Sequence, residues 1–112
     1  MPRPVDKLFD DILAAISVGE EIVRRGRACF DEDPVVQYSA ETVVGHIGDA
    51  ASKLPDEVRA TMPDIPWKAI IGARIMVDHA YHRLDYGRIW LSLEEDLPPL
   101  RAAIERCRSG GS

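Results

Sequence analysis

Apolar side chains in this sequence return every three or four residues, a period that a helix converts into a single face. From Val5 the series runs through Leu8, Phe9, Ile12, Ile16, Ile22 and Val23. This spacing predicts a first helix over 4–28, roughly 36 Å long at 1.5 Å per residue. Asp6, Asp10, Glu20, Arg24 and Arg27 lie on its far face, and Gly19 is its interior weak point. The stretch 30–34, with two aspartates and a proline, breaks the pattern, and Asp33-Pro34 reads as an N-cap followed by a first-turn proline. A second helix over 34–54 turns Val36, Ala40, Val43, Val44, Ile47, Ala51 and Leu54 inward. Its small residues, Ala40, Gly45, Gly48 and Ala50, let another backbone approach closely. A short helix at 56–61 and a turn at Pro63-Asp64-Ile65-Pro66 follow.

A third helix over 66–83 takes its apolar stripe from Trp67, Ile70, Ile71 and Met76 or Val77, while Arg74, Asp78, His79, Tyr81 and His82 crowd its last turns. A fourth begins near Tyr86, carries Ile89, Trp90, Leu93 and Leu97, kinks or restarts at Pro98-Pro99, and ends with Leu100, Ile104 and Cys107. Short connections between amphipathic helices predict an all-α, up-and-down bundle of four main helices plus a short one. Its single domain spans 1–108, and 109–112 form a flexible tail. With 112 residues, 46% of them hydrophobic, the chain supplies one core and excludes a second catalytic domain. Only 6% aromatic content and no sustained alternation of β-branched with polar residues exclude a sheet.

The formal charge of -5 argues against general coating of nucleic acid, which needs surplus cations at phosphates. Its distribution is uneven. Between Pro66 and Trp90, Lys68, Arg74, Arg83 and Arg88 face Asp78 and Asp85, a local +2 that leaves -7 on the rest. A basic strip on an acidic body suits a selective nucleotide or RNA contact. Cys29 and Cys107 stand far apart with no metal-ligand spacing. No signal or transit segment and no apolar run of membrane-spanning length is seen, so a cytoplasmic protein without a membrane partner is expected.

In Arg74-Ile75-Met76-Val77-Asp78-His79-Ala80-Tyr81, a permanently charged guanidinium precedes by five residues a side chain that titrates near neutrality. Arginine suits an anionic phosphate and histidine suits proton transfer. The same residues also fit solvated cations meeting the negative end of a helix dipole. Five residues rotate the second side chain by roughly 140° from the first and advance it about 7.5 Å. One straight helix cannot aim both groups at one atom; they can converge between two copies of the helix or if the helix bends, so catalysis by this pair favours a symmetric dimer. Asp78, His79 and His82 share a helix face, but no second ligand pair occurs elsewhere, and neither a metal nor a cofactor is expected. His46 reads as a hydrogen-bonded packing residue, and Trp67 and Trp90 as core or interface anchors.

The run Asp64-Ile65-Pro66-Trp67-Lys68-Ala69-Ile70-Ile71-Gly72-Ala73-Arg74, then His79-Ala80-Tyr81, Ile89-Trp90 and Glu95-Asp96-Leu97-Pro98-Pro99-Leu100, resembles the HepT-like family of HEPN domains. Val43-Val44-Gly45-His46-Ile47-Gly48-Asp49-Ala50 looks like the family's second-helix segment, and the likeness covers about 6–106. The resemblance implies a dimerising bundle in which Arg74 and His79 of both protomers line a cleft that cleaves RNA without metal. It also implies a toxin whose partner is an MNT-type nucleotidyltransferase antitoxin, which transfers AMP to the motif tyrosine, here Tyr81. It places Asp49 facing the motif helix, where it can orient Arg74 or His79. Asp78 is four residues from both Arg74 and His82 and can pair with either; Asp49, Asp78 and His82 are thus the candidate supporting groups. Ile75 and Asp78 stand where the family has a polar and an apolar residue. They define an alternative function, a catalytically weakened binding or interaction module that still pairs with a nucleotidyltransferase.

Overall fold

A computed structural model describes residues 3–78 and 85–110. Among the described residues seven α-helices occur in the order α1 (Val5–Arg25), α2 (Arg27–Glu32), α3 (Pro34–Lys53), α4 (Asp56–Ala60), α5 (Trp67–Asp78), α6 (Tyr86–Leu91) and α7 (Leu97–Arg108). A π-helical turn, Ser92–Asp96, joins α6 to α7. No strand is found among the described residues, and the architecture is the all-α bundle expected from the periodicity. α3 lies between α1 and α5; α7 and the π turn pack back onto α1, and α6 packs on α3.

Of the apolar stripe predicted for α1, Leu8, Phe9, Ile12, Ile16 and Ile22 are buried, and its end members Val5 and Val23 are half-buried against the core. The helix ends earlier than the spacing suggested. Gly26 adopts φ 95°, a left-handed conformation that closes α1 and turns the chain into α2. Phe30, expected in an interruption, is instead fully buried within α2. Gly19 is closely packed: a Cβ there would sit 2.5 Å from Leu97 Cδ1, so that side chain would have to shift to admit it. Asp33 caps α3 as read, its carboxylate accepting from the Val35 N–H at 2.9 Å with Pro34 in the first turn.

All seven residues assigned to the inner face from 34 to 54 are buried. Trp90 is buried in the same core, whereas Trp67 is half-buried and donates from Nε1 to the Met62 carbonyl at 3.1 Å. The prolines at 98 and 99 do not interrupt the last rod. They occupy the first turn of α7, and the hydrogen-bond ladder widens just before them, in the π turn, where their missing N–H groups would have left carbonyls without donors. Arg101 binds Glu20 at 2.9 Å and Arg108 binds Asp6 at 2.8 Å, fastening α7 along α1. Ser109 and Gly110 turn back on the end of α7 through backbone bonds to Glu105 and Cys107. Among the described residues no helix is long and apolar enough to cross a membrane.

Asp96, at the junction of the π turn and α7, is held above the ordinary 3.8 by burial and, secondarily, by the neighbouring Glu95 charge. The folded chain therefore keeps this proton more tightly than the unfolded chain. Its contribution to stability falls as pH rises through the carboxylate range. Asp96→Asn should melt higher than the parent near neutrality, and the gain should shrink in acid; thermal melts at the two pH values check the sign.

Candidate active site

Arg74 lies in the middle of α5, and its position is set by how closely α5 crosses α3. A Cβ built on Gly48 would fall 2.8 Å from Arg74 Cβ and 2.9 Å from the Ile70 carbonyl oxygen. Only a glycine lets the two backbones meet at this separation. The crossing brings the next turn of α3 against the guanidinium. Arg74 Nη1 donates to Ser52 Oγ at 3.3 Å and stands 3.6 Å from Asp49 Oδ1. Ser52 in turn donates to the Asp49 carbonyl at 2.6 Å, which leaves its oxygen facing the guanidinium as an acceptor. Asp49 also pairs through Oδ2 with Lys53 at 3.1 Å.

Arg74 remains 33% exposed and Asp49 48% exposed, so their ion pair belongs to the class worth about 0.2–1 kcal/mol. An interaction of that size orients the guanidinium without competing seriously with a phosphate. The arginine opens onto a recess of about 400 Å³, whose other walls are Tyr38, Glu41, Thr42, Gly45, His46 and Asp49 of α3. A larger groove of about 930 Å³ continues from it between α1 and α3 and shares Tyr38, Thr42, His46 and Asp49 with it. Glu41 is anchored from behind by the Tyr86 hydroxyl, which donates to Oε2 at 2.8 Å. That bond to Glu41, followed by burial, pushes the Tyr86 hydroxyl above its ordinary range.

Of the residues singled out in the sequence, the structure brings together Arg74 and Asp49. Asp78 ends α5, but its side chain lies outside the described residues, as do His79, Tyr81 and His82 in full. The expected pairings of Asp78 with Arg74 and His82 therefore fall there too. His46 corrects the expectation of a packing residue: it is exposed on the wall of the recess. Ser52, Glu41 and Tyr38 escaped sequence reasoning. Ser52 follows Gly48 by one helical turn and so carried a positional signal, whereas the Glu41 anchor comes from a tyrosine 45 residues away.

The model of the family described as Ribonuclease HepT-like matches residues 12–107. Among individual relatives, the probable ribonuclease HepT of Thermococcus cleftensis is 30% identical over 111 residues, covering 96% of this chain and 99% of that protein. A Methanocaldococcus jannaschii protein named as an RNase is 28% identical over 76 residues, covering 68% of this chain and 70% of its own length. One from Caldanaerobacter subterraneus subsp. tengcongensis, also named as an RNase, is 32% identical over 76 residues, with 68% of each chain covered. No solved structure gives a significant match. An all-α bundle, an arginine presented at an open recess by the matched segment, and a match over nearly the whole chain agree, and the chain belongs to the HepT-like ribonuclease family.

Proposed function

We propose that this chain is a metal-independent endoribonuclease that acts as a cytoplasmic homodimer, one HEPN-type domain over 1–108 per protomer. We further infer that it is the toxin of a pair whose antitoxin is an MNT-type nucleotidyltransferase. The observation that carries the reading is the seat of Arg74, aimed by Asp49 and Ser52 onto an open recess, on a helix that ends at Asp78, next to His79 in the sequence. Arg74 holds the scissile phosphate and offsets the charge that develops on it. His79, whose imidazole ordinarily titrates near 6.5, serves as acid or base toward the ribose 2′-hydroxyl. Five residues of straight helix would turn His79 roughly 140° from Arg74, so convergence of the two groups favours a cleft shared by two protomers unless the helix bends. Asp49 orients Arg74, and Asp78 and His82 are the further supporting candidates. AMP on Tyr81 places a bulky anion two residues from His79, which blocks the cleft by sterics and charge.

Purified His79→Ala should cleave RNA about 10²–10⁴-fold more slowly than the parent, with its oligomeric state unchanged. Equal cleavage by parent and variant rejects the assignment. Intact mass after co-expression with a nucleotidyltransferase reads the partner directly: an added AMP that disappears in Tyr81→Phe supports it, and an unmodified parent counts against it.

A further inference from the structure

The recess beside Arg74 has walls that phosphate binding alone does not use. Tyr38 stands on it with 74% of its surface exposed, a large aromatic ring outside the core. Glu41, one helical turn further along α3, presents a carboxylate whose placement is fixed by the Tyr86 hydroxyl. The other acid of the recess, Asp49, already faces Arg74 and Lys53. The volume of about 400 Å³ falls within the ~300–1,000 Å³ typical of small-ligand sites.

We propose that this recess is a single-nucleotide subsite for single-stranded RNA, in which Arg74 takes the phosphate, Tyr38 stacks on the base and Glu41 reads an exocyclic amino group. The choice of RNA rests on the ribonuclease reading above; the division of labour rests on the three side chains. An exposed aromatic face stacks on any base and gains most of its energy from contact, not from sequence. A carboxylate is acceptor-only when ionised. It therefore favours a base edge that offers an N–H donor and opposes one that offers only a carbonyl. Cytosine and uracil have rings of one size, and at position 4, the group Glu41 is proposed to read, cytosine carries an amino donor where uracil carries a carbonyl oxygen. Glu41 thus selects cytidine over uridine, while Tyr38 contributes to both.

The test uses the whole protein and dye-labelled 2′-fluoro hexamers of cytidine or uridine, which retain a ribose-like pucker but lack the attacking hydroxyl; fluorescence anisotropy reads binding without cleavage. The parent should bind the cytidine hexamer about tenfold more tightly than the uridine hexamer, the scale of a hydrogen bond to a charged group. Tyr38→Ala should weaken both by about 5- to 100-fold, and Tyr38→Phe should restore both. Glu41→Gln, whose carboxamide still accepts from Tyr86 and can also donate to a carbonyl, should narrow the gap between the two. Equal binding of both hexamers by the parent, no measurable binding of either, or unchanged binding by Tyr38→Ala overturns the proposal. If sedimentation shows that Tyr38→Ala splits a dimer while its affinity for RNA is unchanged, the ring belongs to a protein contact and the subsite is likewise rejected. A parent that shows the predicted pattern of binding yet leaves ordinary RNA uncut rejects the ribonuclease reading and leaves the subsite standing.

Discussion

Arg74→Ala should lower RNA cleavage by about 10²–10³-fold, the usual cost of removing a group that stabilises charge in a transition state, while the fold survives almost unchanged. The two effects separate because of how the guanidinium is held. In the free protein it makes one long hydrogen bond to Ser52 and one ion pair with the half-exposed Asp49, the pair worth at most about 1 kcal/mol. Against a phosphate the same group forms charge-assisted, bidentate bonds of fixed geometry. Arg74→Lys keeps the charge but loses the fork, and should recover only part of the lost rate. Initial rates and thermal melts on the same preparations decide the matter. Loss of activity that merely tracks loss of stability would reassign Arg74 to structure, and an unchanged rate would remove it from the site.

Phe30→Ala should cost about 3–5 kcal/mol of stability, a large fraction of the 5–15 kcal/mol on which a domain of this size ordinarily stands. Phe30 is fully buried on the one-and-a-half turns of α2. Its ring meets Tyr86 edge-on at 5.9 Å between centroids and Trp90 at 5.4 Å, so that one side chain fastens α2 to α6. Arg27 lies over the Trp90 ring, 5.9 Å from its centroid. Neither aromatic neighbour can collapse into the vacated space without breaking a second contact, since Tyr86 is also tied to Glu41. Denaturant titration measures the loss. A cost below about 1 kcal/mol would mean that the cluster repacks and that α2 is not held through Phe30.

The helices were legible because burial leaves a regular trace. Leu8, Ile12 and Ile16, or Val36, Ala40 and Val43, repeat at the helical period whatever they pack against. Breaks were legible only where proline made them. Gly26 ends α1 by taking a positive φ, and a glycine that does so carries the same letter as Gly19 or Gly48, which sit inside helices. Phe30 was misplaced for the same reason: its flanking acids read as a loop, while its partners lie more than fifty residues on. Arg74 and Asp49 could be singled out because the resemblance covered their segments. Glu41 and Tyr38 had no such mark. A carboxylate anchored by a distant tyrosine, and an aromatic ring left outside the core, are facts of tertiary arrangement that no local pattern announces.

Gly48 ordinarily would be a burden, since glycine within a helix costs about 1 kcal/mol relative to alanine. Here the residue that would relieve the burden would collide with the side chain that aims at the recess. Thermal robustness and the bearing of the guanidinium are thus a single heritable trait at this crossing. A search for stabilised variants that fills helical glycines should spare this one, or it will trade away what the crossing is built to present.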